Sequence, residues 1–455
     1  MPIELVTRKK RAARQQLDPN PISTVALFNR YSSYPSAGLT PERLSSILKE
    51  ADQGDVMRQS ELFEEMLEKD PRLFGMFQTR KLAVTREEYE IVGGADDQKG
   101  EDIRTYVREV FDNCKNWRGG GTFTNGILNP IGGLDGMLDA VPKGFSASWI
   151  GWQVSEKDVW FDEIHWMHQK NFRFGRPSDP KSDLNEIRRL TDENLVEGIP
   201  LELNKWVISV IQAHSGHPAR GSVLRTCAFW YLFKNFGAKA FVIFAEIFGI
   251  PFRVGFYEGT AGDKEIDALK NALRSIGIDA SAVLPVGTKI EFPEPPQKGT
   301  NVDIHERLIN QADAQMAYAV LGHTGTSQST PGKLGSEDAA KEVKLDLVQS
   351  DALSVSNIAS DQIIRPLVDA QFGPQDEYPY YNQIIKKPED LLREIQIDEK
   401  LGAIVPLSRK YFYKRYGRPE PEDAADTVLV QQKVVTPFNG AIGKGLLGRK
   451  GDLLG

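Results

Sequence analysis

The chain has 455 residues, of which 40% are apolar and 26% charged, and this balance excludes both a small disulfide-stapled scaffold and a wholly disordered chain. Its 56 basic and 63 acidic side chains give a formal net charge of -7, which excludes a protein that coats nucleic acid through a general basic excess. Two cysteines, Cys114 and Cys227, are too few for a disulfide framework and fit a reducing compartment.

The first 40 residues predict a basic arm and an extended lead-in. Five cations lie among the first 14 residues, without the apolar run of a secretory signal. Residues 17–41 are rich in Pro, Ser, Asn and Tyr. We therefore expect a solvated arm, which either touches nucleic acid or is a flexible tail without that role. The most apolar stretch, 240–252, is too short to span a bilayer, so we expect no membrane segment.

Helical and strand patterns alternate between residues 41 and 262. A helix is predicted at 40–54 with Thr40 as its cap, and two more helices meet at Asp70-Pro71. The further predicted elements are a strand at 84–92, a helix at 101–117, a Gly-rich passage to 144, short strands of one small sheet at 145–152, 158–166 and 170–175, another strand at 201–211, and an apolar core helix at 224–249.

The second half predicts longer helices. Apolar residues at three- and four-residue spacing, with caps, place helices at 263–276 and 303–321 and a turn-linked pair of short strands at 282–292 between them. A polar loop follows at 322–338, and then a long helix at 339–370 that Pro366 should kink. The last predicted helix, at 388–401, leads through 411–416 to a Gly-rich tail at 439–455.

Four histidines are the strongest candidates for metal chemistry. His165 and His168, and likewise His214 and His217, are three residues apart, and four imidazoles can hold zinc. However, neither pair has an adjacent cysteine, no HExxH motif occurs, and a strand would place His165 and His168 on opposite faces. The pattern favours ordinary surface or core histidines.

Other catalytic motifs are missing from the sequence. There is no GxxxxGK[ST] phosphate loop and no GxSxG nucleophile elbow. We therefore predict no catalytic residue and no cofactor. The missing motifs favour a structural or binding role.

Several stretches together resemble the portal proteins of Mu-like tailed phages and prophages. Their order and spacing over some 400 residues carry the resemblance. They are SELFEEMLEKDPRLFGMFQTRKLAVT at 60–85, GFSASWIGW at 144–152, the apolar stretch 220–258, AVLPVGTKIEF at 282–292, AYAVLGHTGT at 317–326, and the long helix that ends in IIRPLVDAQFG.

The resemblance implies an α+β portal fold with wing, stem, clip and crown regions. It also implies a homo-oligomeric ring, a dodecamer, at one capsid vertex, through which double-stranded DNA is packaged and ejected without sequence specificity. The implied partners are the terminase large subunit, capsid, scaffold, and head-completion and tail proteins. The implied location is the virion, with the host cytoplasm during assembly, and neither a membrane nor an enzymatic activity is involved.

The family architecture assigns a region to each part of the chain. The assignment is an arm and lead-in at 1–40, a wing at 41–262, a first stem helix at 263–276, a clip at 277–300, a second stem helix at 303–321, a channel loop at 322–338, a long kinked wing helix at 339–370, a crown or C-terminal helical region at 371–438, and a flexible tail at 439–455.

Candidate site residues follow from this assignment. Those of the channel loop are His323, Thr324, Thr326, Ser327, Gln328, Ser329, Thr330 and Lys333. Those of the stem helices are Lys264, Lys270, Arg274, Glu306 and Arg307. The loop has hydroxyls and one lysine, which suits passing contact with a phosphate backbone rather than base recognition. His323 stands where the family commonly has Gln, and it could become charged below about pH 6.5.

Two other functions remain open at this point. One is a metal-dependent hydrolase that uses the four histidines. The other is a monomeric scaffold protein of prophage origin that no longer forms a ring.

Overall fold

The computed structural model describes residues 3–22, 36–118, 123–124, 127–128, 132–175, 183, 185–249, 253–257, 260, 262–275, 281–286, 300–324, 334–385, 391–402, 405 and 408–415. Helices and strands both build the chain, which confirms the α+β class. The chain divides into two units, Met1–Lys386 and Lys387–Gly455. No described helix is long and apolar enough to cross a membrane.

The N-terminal segment, which we expected to be a solvated basic arm, is a helix whose end is docked on the body. Helix α1 spans Ile3–Gln15, and Arg14 near its end donates hydrogen bonds to the carbonyls of Ala370, at 2.9 Å, and Lys157, at 2.7 Å. In the lead-in, the carbonyls of Asp18 and Asn20 accept hydrogen bonds from the fully buried ammonium of Lys205. The expectation of a solvated arm is therefore wrong for Arg14, whose partners are carbonyls far along the chain, whereas Lys9 and Arg11 are exposed.

Three helices follow, and the cap at Thr40 and the division at Asp70-Pro71 are as predicted. They are α2 at Pro41–Asp52, α3 at Met57–Lys69 and α4 at Pro71–Thr85. Thr40 Oγ1 accepts from the amide of Arg43, and Asp70 accepts from the first two amides inside α4. Helix α4 runs to Thr85, so the strand expected at 84–92 is confined to β1 at Tyr89–Gly93.

The next segment, up to residue 144, is more helical than expected. Helix α5 spans Gln98–Asn113, β2 and β3 are two-residue strands at Phe123–Thr124 and Ile127–Leu128, and short helices α6 and α7 span Gly133–Leu138 and Ala140–Lys143. Leu134, Met137 and Val141 are buried, so the C-terminal part of the Gly-rich passage belongs to the core.

The strands of the body form two three-stranded antiparallel sheets rather than one. The first has the order β5-β4-β9, and the second has the order β6-β7-β8. Their bounds are β4 Ser146–Val154, β5 Val159–Met167, β6 Phe172–Phe174, β7 Ile187–Arg189, β8 Ile199–Pro200 and β9 Trp206–Ser209. The expectation of a single sheet is wrong because β6 pairs with β7, Phe172 lying opposite Arg189.

The second half of the first unit contains the long helices. Their bounds are α8 Val223–Gly249, β10 Arg253–Tyr257, α9 Asp263–Ser275, β11 Ser281–Pro285, α10 Thr300–Leu321, α11 Leu334–Ala359, a π-helical turn Ser360–Ile364, α12 Arg365–Phe372 and β12 Pro379–Gln383. Strand β12 pairs antiparallel with β1. The helices expected at 224–249, 263–276 and 303–321 are confirmed within a few residues.

The long helix predicted at 339–370 begins earlier, at Leu334, and its interruption is a π-helical turn. In this turn the amide of Arg365 bonds to the carbonyl of Ser360, five residues back. Pro366 follows directly and has no amide to give, so a wider turn before it suits its ring. Gln362 in the turn bonds both backbone groups of Ile208 in β9, at 2.7 and 2.9 Å.

The second unit contains two described helices, α13 at Leu391–Gly402 and α14 at Arg409–Arg415. The hydroxyl of Tyr411 donates to Asp398, at 3.2 Å. The predicted tail at 439–455 lies outside the described residues.

Buried apolar side chains of the first unit form two clusters. The larger joins α2–α8 with α10–α12 and includes the edge-to-face pair Phe111 and Trp117, whose ring centroids are 4.7 Å apart. The smaller lies between the two three-stranded sheets and includes Phe145, Phe172 and Trp206. The larger cluster includes Cys227 and Tyr231 of α8 and Met316 of α10, so both of these helices are anchored in it.

Candidate functional site

Helices α8 and α10 form an antiparallel pair. The ammonium of Lys234 lies 2.7 Å from Asp313 Oδ1, whereas one turn further along α8 a side chain at Gly237 would meet Leu308 Cδ2 at 3.0 Å. Moving forward on α8 thus means moving backward on α10. Gly237 permits the close approach of the two helices because it has no Cβ.

Helix α9, which we expected as the partner of α10, belongs to a different group of elements. It packs against β10 and β11, which pair with each other in parallel, Arg253 opposite Ser281. We expected 282–292 to fold as two strands joined by a turn. Its first strand is β11, which instead pairs with β10 on the other side of α9 in the sequence. The expectation is therefore wrong for this strand. The remainder of that segment, from 287, lies outside the described residues.

A cluster of paired charges holds the root of the helix pair. Lys234 also binds Asp70 Oδ2 at 2.8 Å, and Arg72 lies 3.7 Å from Asp313. Burial by itself would lower the pKa of Lys234, but its hydrogen bonds to Asp313 and Asp70 outweigh burial and raise that pKa above its usual value. Because Asp70 also caps α4, the cluster ties α4, α8 and α10 together.

A second buried pair fixes the end of α10. Arg80 of α4 binds both carboxylate oxygens of Asp351 in α11, at 2.6 and 2.8 Å, and donates to the carbonyl of Val320, at 3.0 Å. Asp351 is 1% exposed and Arg80 9% exposed. The two charges thus anchor the helices on both sides of the predicted channel loop. We call the two groups, with Lys234, Asp70, Asp313, Arg80 and Asp351, the charge junction.

Sequence reasoning did not single out the charge junction, although a pattern for it exists. Arg80 stands on the same helical face as Leu73 and Phe77, and Asp351 stands beside Val348 and Ala352 in the apolar stripe of the long helix. A charged side chain on a face that must be buried requires a partner of opposite charge. Arg80 and Asp351 have opposite charges, so the sequence pattern indicates that they could pair.

The predicted channel loop is described only at its beginning and end. Gly322 has a φ of +72°, and its amide bonds to the carbonyl of Tyr318 at 3.0 Å, which ends α10. Thr324 is half-buried. Residues 334–338, expected in the loop, are helical, and Thr326, Ser327, Gln328, Ser329, Thr330 and Lys333 lie outside the described residues.

His323 does not project from the body as a loop residue would. It is 8% exposed, and neither ring nitrogen has a hydrogen-bond partner among the described residues. Burial, and then the nearby charge of Lys344, lower its pKa below the usual value of a histidine. The expectation that His323 gains charge below about pH 6.5 is therefore wrong, because its imidazole stays neutral to a lower pH.

The predicted stem residues lie on two separate elements. Lys264 and Lys270 are exposed on α9, where Lys270 pairs with Asp267 at 3.1 Å, and the side chain of Arg274 lies outside the described part. Glu306 and Arg307 are exposed on α10. Lys264 and Lys270 therefore stand on a helix that packs against β10 and β11, whereas Glu306 and Arg307 stand on the helix that lies along α8.

The four histidines have separate structural contacts. His165 stacks on Trp149 with ring centroids 3.9 Å apart, and His168 Nδ1 accepts from the amide of Lys170 at 3.0 Å. His217 Nδ1 accepts from the amide of Ala219, and His214 is exposed. Within the described ranges, no three His, Cys, Asp or Glu side chains are grouped so as to hold a metal. The hydrolase alternative therefore has no support in this part of the chain.

Among the described side chains of α8, at 223–243, one face of the helix is buried and another is exposed. Leu224, Cys227 and Tyr231 are buried as expected, whereas Phe229, Phe233 and Phe236 are 39, 41 and 45% exposed. The prediction that the whole stretch is core is therefore wrong for one face of the helix.

Comparison with known proteins identifies a family and two relatives to which this chain is similar. The family model described as "Portal protein of Mu bacteriophage" matches residues 60–418. The chain is 28% identical over 378 residues to the Mu-like prophage FluMu protein gp29 of Haemophilus influenzae, covering 79% of this chain and 67% of the relative. It is 26% identical over 419 residues to the portal protein of Escherichia phage Mu, covering 91% and 77%.

Solved structures resemble the chain less closely. The neck of an empty gene transfer agent particle, computed with C6 symmetry, aligns with a TM-score of 0.46 at 13% identity over 78% of this chain and 91% of that chain. A likeness of this size carries no argument about function.

Proposed function

The chain belongs to the family of Mu bacteriophage portal proteins, and from this premise we propose that it forms the closed ring at one capsid vertex through which double-stranded DNA enters and leaves. The observation that carries the proposal is the family match over 60–418, which includes the charge junction and the helix pair. A portal protein is a structural component, so the chain needs no catalytic residue.

The ring is homo-oligomeric and part of the virion. A closed ring joins one face of each subunit to a different face of the next. The number of subunits is proposed as twelve by family resemblance. The proposed partners are the terminase large subunit during packaging, then head-completion and tail proteins, with capsid and scaffold proteins around the ring during assembly in the host cytoplasm.

We assign the parts of the ring from the packing of the helices. The α8 and α10 pair forms the stem, and the β10-α9-β11 group between them in sequence forms the base of the clip. This assignment replaces residues 263–276 with α8 as the first stem helix, because α8 and not α9 lies along α10. Helices α11 and α12 are the long wing helix.

We propose that the channel loop spans 322–333, and its position between two helices that Arg80 holds together supports this proposal. Its sequence has hydroxyl and amide side chains and one lysine, which can touch a phosphate backbone without reading bases. A net charge of -7 for each copy also limits tight binding of DNA to the wall, because each neutralised phosphate would add affinity.

A loop deletion tests this function. Removal of 325–333 leaves the charge junction in place, so rings should form normally while nuclease-protected DNA in the phage heads falls at least tenfold. The matched control replaces the same nine residues with a Gly-Ser segment of equal length. Normal DNA content in the deletion variant would overturn the loop assignment, and failure of the unmodified chain to form rings would overturn the portal function itself.

A further inference from the structure

Helix α8 has an apolar seam that the described part of the chain leaves partly exposed. The seam consists of Phe229, Phe233, Phe236 and Ile243, which are 39, 41, 45 and 44% exposed. They follow each other at intervals of four, three and seven residues, so they form one stripe along the helix. Contiguous exposed apolar stripes of this kind mark interaction surfaces.

The seam points away from both structures that α8 already touches. At roughly 100° per residue, Phe233 lies about 100° around the helix from Lys234, which faces α10. Phe229 and Phe236 lie about 140° and 160° from it. The buried residues Cys227 and Tyr231, which face the body, lie on the other side of Lys234. The seam is therefore a third face of α8.

Helix α10 has a second exposed apolar face. Ile304 and Tyr318 are 56 and 53% exposed, and they stand about four turns apart on one side of the helix. Both lie about 140° or more from Asp313, which faces α8. One helix pair thus has two unlike apolar faces, one on each helix, as a ring interface requires.

We propose that the seam of α8 packs against the Ile304 and Tyr318 face of α10 in a neighbouring copy of this chain. The proposal rests on the proposed function, because it names the partner surface in the ring. It continues an arrangement that the chain already makes internally, so that each α8 lies between two antiparallel α10 helices, its own and its neighbour's.

The ring geometry also fixes which residues meet. Neighbouring copies are related by rotation about the ring axis, which preserves height along that axis. Where the helix pair runs along the axis, the contact of Lys234 with Asp313 sets the level of both helices. Phe229, five residues before Lys234, is then level with Tyr318, five residues after Asp313. Ile243 is level with Ile304 by the same argument.

Cysteine cross-linking of the full chain tests this register. Oxidation of Phe229→Cys/Tyr318→Cys should produce a ladder of covalent oligomers, because level residues on packed helices fall within the 4.4 to 6.8 Å Cα separation of a disulfide. The out-of-register pair Phe229→Cys/Ile304→Cys is the control and should give at least tenfold less cross-linked product. The native cysteines are buried, so the unmodified chain should give no ladder.

Charge substitution tests the seam without cysteines. Phe233→Asp/Phe236→Asp should reduce the ring fraction at least tenfold in light scattering while circular dichroism shows that the subunit remains folded. Val242→Asp is the matched control, because Val242 is 54% exposed on the same helix but lies off the seam.

The outcomes separate the seam from the portal function. Rings that persist in Phe233→Asp/Phe236→Asp, or equal ladders from both cysteine pairs, would overturn the seam interface and leave the portal function standing. Absence of rings from the unmodified chain would overturn both.

Discussion

The charge junction and the exposed seam both include residues of α8, but they differ in whether the side chains find their partners within the subunit. At the junction, Lys234 is bound by Asp70 and Asp313 of the same chain, at 2.8 and 2.7 Å. Along the seam, Phe229, Phe233 and Phe236 keep about two fifths of their surface in water. One region completes its contacts within the subunit, whereas the other leaves apolar surface available.

The difference separates what folds the subunit from what assembles it. Charges that are buried in the folded subunit must be paired both in the free subunit and in the ring, so their partners lie in the same chain. Exposed apolar surface costs about 25 cal/mol for each Å². The folded subunit can tolerate this cost until a neighbouring copy covers the surface. Substitutions at the junction should therefore destabilise the subunit strongly, and substitutions in the seam should destabilise it less.

The largest effect is expected at Asp351. Asp351→Asn should reduce the free energy of unfolding by about 3 to 5 kcal/mol, because Arg80 would remain buried without its carboxylate. Urea unfolding followed by circular dichroism measures the change. Asp346→Asn on the exposed face of the same helix is the control and should change stability by less than about 0.5 kcal/mol. Equal stability of the two variants would contradict the anchoring role of the pair.

A smaller loss is expected at Lys234. Lys234→Met removes the cation between two carboxylates and should cost about 2 to 3 kcal/mol, less than at Asp351 because Lys234 retains 18% side-chain exposure. Lys239→Met, on the exposed side of α8, is the control for the loss of one positive charge. A Lys234→Met subunit as stable as this control would mean that the junction does not hold the root of the helix pair.

Acidification should weaken the body through His168. Burial, and then the charges of Lys143 and Lys170, lower the pKa of His168 to about 3. Its unfolded-state pKa is about 6.5, so below that pH the unfolded chain binds the extra proton and the folded chain does not. Stability should then fall by about 2 kcal/mol between pH 7 and pH 5.

His168→Asn isolates this contribution, because the amide oxygen of Asn can still accept the hydrogen bond from the amide of Lys170. The pH dependence of unfolding should be shallower in His168→Asn by the same amount. Parallel stability curves for the two proteins would show that His168 titrates normally in the folded chain.

The smallest effect on the subunit is expected in the seam. Phe233→Ser/Phe236→Ser should change the free energy of unfolding by less than about 2 kcal/mol when measured on monomers, because about two fifths of each ring is already in water. A loss above 2 kcal/mol would mean that the seam serves the fold of the subunit, and the contrast with the junction would disappear.

The sequence predicted elements whose causes are local. Thr40 and Asp70 mark helix starts because each side chain accepts an amide hydrogen bond two or three residues ahead, and apolar spacing revealed α8 and α10. The portal function was predicted from the resemblance to a family, because the order and spacing of motifs can be read directly from a sequence. Contacts between distant residues cannot be calculated from the sequence in this way.

Contacts between distant residues could not be predicted in the same way. The docking of α1 depends on Arg14 reaching Ala370, 356 residues away, and nothing local to Arg14 indicates this partner. The choice of α8 rather than α9 beside α10 depends on the bond from Lys234 to Asp313. The burial of His323 likewise depends on packing near Lys344, whereas its sequence neighbours indicate a polar loop.

The native mass of the purified full chain, measured by light scattering with negative-stain imaging of the same fraction, tests the central claim most directly. The account predicts rings of many 50.8 kDa subunits around a central hole wide enough for duplex DNA. A monodisperse monomer at every concentration tested, with no ring in the images, would contradict it.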